Sequence, residues 1–191
     1  QLIAALTATG PVPPTMAKVV VQAVVDRLLA LPDGLEPLTL LQADEERLRR
    51  SLYVAVMTVV FARVAGWPEE RLADLGGAAL LHDVGAILDA RRPATAGFVW
   101  LLERGIDEFW LRSAVVARTW REDPGASLAE VAAGGAAAAV LVRMAVEAEQ
   151  LARDPATPRG AVAPALCARL RGKLPDEFLE LVHTAFAGLP H

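Results

Sequence analysis

The sequence is poor in the residues and patterns that build disulfides, membrane spans and export signals. Cys167 is the only cysteine among 191 residues, which excludes an internal disulfide and favours a reducing compartment. The longest uncharged apolar stretches, 51–62 and 131–142, are about a dozen residues long, short of the roughly 20 that cross a bilayer. Residues 1–25 lack the basic start of a signal peptide. We therefore expect a cytoplasmic protein without membrane insertion.

Histidine and net charge are also scarce. The chain holds three histidines, His82, His183 and His191, too few for any site that needs four imidazoles. A net charge of −4 gives no basic surplus for a nucleic acid polymer or an anionic membrane surface. The sequence contains neither a phosphate-binding glycine loop nor the cysteine and histidine spacing of a zinc site. We expect no cofactor.

Patterns that favour α-helix run through the whole sequence. Hydrophobic residues make up 54% of the chain, enough for a sizeable core. Apolar positions recur at spacings of three and four over 15–31, which is one helical face, and prolines separate the later segments. The pattern predicts further helices over 44–65, 68–81, 95–104, 107–121, 134–153, 158–171 and 176–187. We expect an all-α fold of about eight to ten helices, with little or no sheet.

The small-residue run Gly134–Val140 has two interpretations, close packing between helices or a flexible loop. Close packing is the favoured one. For domain organisation, we expect residues 1–43 to form an N-terminal helix and a linker packed on a helical bundle of residues 44–191. Because the chain starts at Gln1 and not at Met, we expect it to be a fragment or a processed form.

The stretch "GAALLHDVGAI", 77–87, carries the motif most typical of a metal or catalytic site, His82 directly before Asp83 at the end of an apolar run. Three later segments follow it in order: "LRSAVVARTWRED", "RMAVEAEQL" and "LPDEFLELVHTAFAGLPH". Together these segments resemble the HD superfamily, in particular its HD-GYP branch, over roughly residues 45–191. The resemblance implies an HD-type helical bundle that holds two or three metal ions on histidines and aspartates and hydrolyses cyclic di-GMP.

Most of the ligand positions that the resemblance implies are changed. His82 and Asp83 are kept, as is Glu122, and the final aspartate falls at Glu147. The expected histidines are replaced, in chain order, by Arg50, Pro93, Trp120 and Arg121. The Gly-Tyr-Pro signature is absent. The resemblance therefore implies a degenerate site with no catalytic residues and no resident metal.

Three interpretations of the remnant stay open. His82 and Asp83 can be a satisfied pair that fixes a turn in the core. With Glu147 they can hold a single metal ion. The third is an anion pocket in which Arg50 and Arg121, beside Trp120, supply positive charge.

Arginine in place of metal would pair Asp83, because an unpaired buried carboxylate is costly. We thus expect Asp83 to be buried and bonded to an arginine or to backbone N–H groups, and its loss to cost about 3–5 kcal/mol. A competing interpretation leaves Arg50 in a solvated helix start, paired with Glu46 four residues earlier.

The functional expectation is a catalytically inactive HD-GYP-like domain of bacterial signalling. It would act through a protein partner or as a homodimer, with sensor or receiver domains beyond Gln1. A variant of this function keeps binding of a cyclic dinucleotide, cyclic di-GMP, without hydrolysis. The alternative is a divergent metal-dependent phosphohydrolase or phosphodiesterase that uses His82 and Asp83.

Overall fold

The computed structural model describes residues 14–31, 35–42, 44–121 and 136–187. Within these ranges every regular element is a helix, and β-pairing is limited to one isolated bridge between Arg171 and Leu174. The prediction of an all-α fold is confirmed. The α-helices are α1 Pro14–Leu29, α2 Leu35–Gln42, α3 Glu45–Val64, α4 Glu69–Leu80, α5 Gly85–Leu88, α6 Pro93–Leu102, α7 Glu108–Thr119, α8 Ala136–Arg153, α9 Val162–Leu170 and α10 Asp176–Ala187.

Helix α3 runs through the middle of the bundle. All residues from Ser51 to Ala62 are buried, so this helix is covered on every side, by α1, α2, α4, α8 and α10. Its start is well specified, because the Asp44 side chain accepts a hydrogen bond from the Arg47 backbone N–H. Its end is set by Gly66, whose φ of 78° suits a residue without a Cβ.

The N-terminal helix belongs to the same core. Val24 and Leu28 of α1 are buried and pack with the apolar side chains of the helices that α1 contacts, α3 and α4. The small-residue run is also explained where it is described, because Ala137–Ala139 at the start of α8 are buried. Small buried side chains at the start of α8 fit the interpretation of close packing between helices. Gly134 and Gly135 lie outside the described residues.

Three elements differ from the sequence-based expectation, and one of them is the four-residue α5, which was not predicted. Helix α2 lies in the segment expected to be a linker; its Pro37 stands in the first turn, where a missing N–H is tolerated. The segment expected as one helix over 158–171 is a 3₁₀ turn, Arg159–Ala161, followed by α9. In the described part of the chain, no helix is both long enough and apolar enough to cross a membrane. Glu122 and His191 fall outside that part.

Candidate functional site

The His-Asp motif lies in the tight turn that joins α4 to α5. The turn covers 81–84, and short-range backbone hydrogen bonds hold it, such as that from the Val84 N–H to the Leu81 carbonyl at 3.1 Å. The first turns of α3, the end of α7 and one face of α8 surround it. Residues from three further helices therefore meet at the turn.

His82 is buried and electrically neutral. Its Nδ1 lies 2.7 Å from the Ala79 carbonyl oxygen, and because a carbonyl can only accept, Nδ1 carries the proton. Burial lowers the pKa of His82 to about 4, although the nearby Asp83 carboxylate opposes the shift. At neutral pH the ring is therefore an uncharged imidazole with a bare Nε2.

Trp120 covers His82 from the end of α7. The Trp120 indole Nε1 donates a hydrogen bond of 3.0 Å to the His82 carbonyl, and the two rings meet edge to face with centroids 5.1 Å apart. The Arg121 guanidinium in turn lies over the Trp120 ring, 4.2 Å from its centroid. Trp120 therefore fixes the His-Asp turn against α7 and positions Arg121.

Asp83 is held between two arginines. Arg47 Nη1 of α3 lies 2.9 Å from Asp83 Oδ2, and Arg121 Nη2 pairs with Oδ1. Arg47 is itself oriented by Asp44, whose carboxylate also lies 3.4 Å from Arg47 Nε. The Asp83 side chain is 17% exposed, so it is partly and not fully buried. Each of its oxygens has a charged hydrogen-bond donor, an arrangement stronger than neutral pairing.

Arg50 lies beside a different carboxylate, and its buried Nε has no hydrogen-bond partner among the described residues. Its Nε lies 3.6 Å from Oε1 of Glu149, a buried residue of α8 that also meets Arg153 at 3.3 Å. Burial raises the pKa of Glu149, and Arg50 and Arg153 act against that rise. The second carboxylate near the motif is thus also matched by two guanidinium groups.

A small cavity lies between these groups. It is lined by Arg47, Arg50, Ser51, Val54, His82, Asp83, Val146 and Glu149. Its volume of about 10 Å³ is roughly what one water molecule requires. The site therefore has no room for a nucleotide or a cluster of ions without rearrangement.

The structure places the expected site residues in two groups. His82, Asp83, Trp120 and Arg121 come together as described. Arg50 forms no ion pair with Asp83. The α3 residue that pairs with Asp83 is Arg47, about one turn earlier. Glu147 is directed to α9, where its carboxylate lies 2.8 Å from Arg169. The i,i+4 pair expected between Glu46 and Arg50 is also replaced, since Glu46 pairs with Arg49.

Sequence reasoning missed Arg47 and Glu149. Each lies within three residues of a site residue chosen from the sequence, Arg47 before Arg50 and Glu149 after Glu147. Arg47 is three residues after the helix-capping Asp44, and Glu149 is two residues after Glu147. Two residues along a helix is a rotation of about 200°, so the choice between Glu147 and Glu149 depends on the face that α8 turns inward.

The residues present do not fit the metal cluster that the HD-GYP resemblance implies. Such a cluster needs several imidazole and carboxylate donors converging on each ion. Within the described ranges, no group of three or more His, Cys, Asp or Glu side chains is placed to hold an ion. At the motif, the carboxylates of Asp83 and Glu149 face guanidinium cations, which would repel a metal.

A double-mutant cycle tests the two-arginine pairing of Asp83. We expect Asp83→Ala to lower the free energy of unfolding by about 2 kcal/mol, less than complete burial would give, because both arginines regain some solvent. Adding Arg121→Ala to Asp83→Ala should then lower the free energy of unfolding little further. The Arg121 guanidinium has already lost its partner in Asp83→Ala, so its removal breaks no remaining ion pair with Asp83. Chemical denaturation of the single and double variants measures both quantities.

Arg63 provides the matched control for this cycle. It lies on the same helix as Arg47 and has the same charge, but it is sixteen residues away and pairs with Glu69. The effects of Arg63→Ala and Asp83→Ala should therefore add. Additive effects of Arg121→Ala and Asp83→Ala would contradict the pairing.

Comparison of the chain with protein-family models, with curated proteins and with solved structures gives no match. The likeness to the HD-GYP branch therefore depends on the quoted motifs alone. It stays a prediction, and what supports a function for this chain is the geometry around His82 and Asp83.

Proposed function

We propose that this chain is a catalytically inactive, HD-GYP-like signalling domain that acts by binding protein. The observation that carries the proposal is the position of Asp83 between Arg47 and Arg121. In a metal phosphohydrolase this carboxylate would be a ligand, and the metal would activate a water and stabilise charge on phosphate. Here the charge on Asp83 is satisfied by guanidinium groups, which supply structure without supplying a nucleophile.

The state of His82 supports the same proposal. The imidazole is buried, its Nδ1 is used by the Ala79 carbonyl, and Trp120 lies against its ring. Such a group stabilises a turn between two helices. A residue that must exchange protons with a substrate needs access to it, and the cavity beside His82 accommodates about one water.

The variant in which the domain retains cyclic di-GMP is less well supported than protein binding. Arginine is a good phosphate and guanine ligand, but Arg47 and Arg121 are engaged by Asp83, and Arg50 by Glu149. A cyclic dinucleotide would have to displace these carboxylates. Protein binding requires no such rearrangement, because it uses the outer faces of the helices.

Hydrolysis assays test the proposal directly. Purified protein with Mn²⁺ or Fe²⁺ should turn over cyclic di-GMP no faster than its His82→Ala variant, because the donor set for a metal pair is missing. Elemental analysis should find no stoichiometric iron, manganese or zinc that depends on His82. Turnover that His82→Ala abolishes would instead support the divergent metal-dependent phosphohydrolase.

A further inference from the structure

The outer face of α6 has the pattern of a helix that packs against another helix. Arg92, Ala96, Val99 and Glu103 follow one another at spacings of four, three and four residues, which puts them in a single row. All four line a groove of about 340 Å³, together with Leu88 and Trp100. The middle of the row is apolar, and its two ends carry opposite charges.

Exposed apolar side chains are concentrated around this row. Within the described residues, eight large hydrophobic side chains are exposed, and five of them fall between positions 88 and 115: Leu88, Val99, Ile106, Leu111 and Val115. Arg118 near the end of α7 donates a hydrogen bond to Thr95 near the start of α6. The two helices therefore run antiparallel, and Arg118 continues the line of exposed Leu111 and Val115 along α7 at spacings of four and three residues. Clustering of this kind marks interaction surfaces.

The charges at the ends of α6 oppose the dipole of their own helix. Arg92 is the N-cap residue and Glu103 is the C-cap residue, whereas helix ends are stabilised by an acidic N-terminus and a basic C-terminus. A second α6 lying antiparallel reverses this, because each charge then meets the opposite end of the partner helix. Arg92 has an exposed contact with Asp89 at 3.6 Å, a weak pair that leaves it able to bind elsewhere.

We propose that the α6 face is a self-association surface, on which a second copy of this chain packs its own α6 antiparallel around a two-fold axis. Arg92 then pairs with the partner's Glu103, at both ends of the contact. The axis passes between Ala96 and Val99, so that each small Ala96 receives the partner's Val99. This inference rests on the proposed function, a domain that works by binding protein, and names the partner.

The register follows from the sequence spacing. Arg92 and Glu103 are eleven residues apart, about 16 Å along a helix, and antiparallel overlap of two equal segments brings both pairs into register at once. A parallel arrangement would place Arg92 beside the partner's Arg92, which is unfavourable. The surface centres on one helix of 10 residues and is small compared with an obligate interface, so we expect a weak dimer with a dissociation constant on the order of micromolar or higher.

Sedimentation equilibrium of the full chain over a range of concentrations tests the surface. Val99→Glu should raise the dissociation constant at least about tenfold, because it brings two like charges to the two-fold axis. Val19→Glu is the matched control. Val19 lies on α1 and is even more exposed, 69% against 47% for Val99, so the same change there should leave self-association unaltered.

Charge exchange tests the antiparallel register. Arg92→Glu and Glu103→Arg should each weaken the dimer about tenfold, since each turns two attractive pairs into repulsive ones. The variant that carries both substitutions restores opposite charges across the axis and should regain the affinity of the parent chain. Thermal melts monitored by circular dichroism establish that each variant is folded.

Three results would overturn the proposal: a parent chain that stays monomeric up to its solubility limit, a dimer that Val99→Glu does not weaken, or a charge exchange without rescue. None of these bears on the hydrolysis assay, so the two proposals fail separately. Turnover of cyclic di-GMP would refute the inactive domain and leave the sedimentation result standing. A monomeric, inactive chain would refute only this surface.

Discussion

Gly85→Ala is expected to lower the free energy of unfolding by about 3 kcal/mol or more. A Cβ at Gly85 would lie 1.8 Å from the Pro93 carbonyl oxygen and 2.5 Å from the Gly97 backbone nitrogen. Both atoms belong to the backbone of α6, so neither can rotate away as a flexible side chain would. The α5 and α6 backbones would have to separate, and buried contacts of the bundle would be lost with them.

Gly160→Ala is the matched control. A Cβ at Gly160 meets nothing within 4 Å, so the substitution should be neutral or stabilise slightly by restricting the unfolded chain. Urea denaturation of both variants measures the difference. If Gly85→Ala unfolds at the denaturant concentration of the parent, α5 and α6 are not as close as the structure places them.

The contact at Gly85 also shows what the sequence could and could not predict. The glycine that follows His-Asp was visible as part of the motif, but the reason for it was not. Gly85 is required because the backbone of α6, eight to twelve residues later, passes against it. Such a contact depends on how two elements meet in space and has no periodic signal in the chain.

Helix positions were largely predictable, since most depend on local signals. Pro68 with Glu69 and Glu70 begins α4, and Pro175 precedes α10, and both helices lie where the apolar spacing and proline stops place them. The short α5 and α2 escaped prediction, because a helix of four or eight residues covers too few turns to show a face.

The candidate site was predictable only in outline. The sequence predicts that arginine should meet Asp83, and the structure places Arg121 there. The segment "RLRR", 47–50, offers three arginines, and the rotation of α3 decides which of them faces the motif. Arg47 points to Asp83, Arg49 to Glu46 and Arg50 to Glu149. The spacing of the three arginines does not determine how α3 is rotated about its axis.

The stability of the folded chain should depend on pH through His82. The pKa of His82 is about 4 in the folded state, against an ordinary value of 6.5. Between these values the unfolded chain binds more protons, so stability is complete above pH 6.5 and falls as the pH is lowered toward 4. The difference corresponds to about 3 kcal/mol.

His82→Asn isolates this contribution. The asparagine amide can keep the hydrogen bond to the Ala79 carbonyl, as Nδ1 does, but it does not titrate. Denaturation of parent and variant from pH 7 to pH 4 should give two curves that converge as the pH falls, because only the parent loses the His82 contribution. Groups that titrate equally in both proteins cancel in the difference.

Glu149 acts in the opposite direction, and it needs its own control because it lines the same cavity as His82 and need not titrate equally in the two proteins. Its folded pKa is raised above 4.5, so in that range the folded chain binds more protons and Glu149 makes stability fall as the pH rises. Placing Glu149→Gln in both backgrounds removes this opposing slope without adding a charge. The difference in stability between parent and His82→Asn should still shrink as the pH falls in this background, with its full change between pH 6.5 and about 4. Parallel curves over that range would show that His82 is not held neutral by burial, and the account of the turn as a closed, uncharged contact would fall.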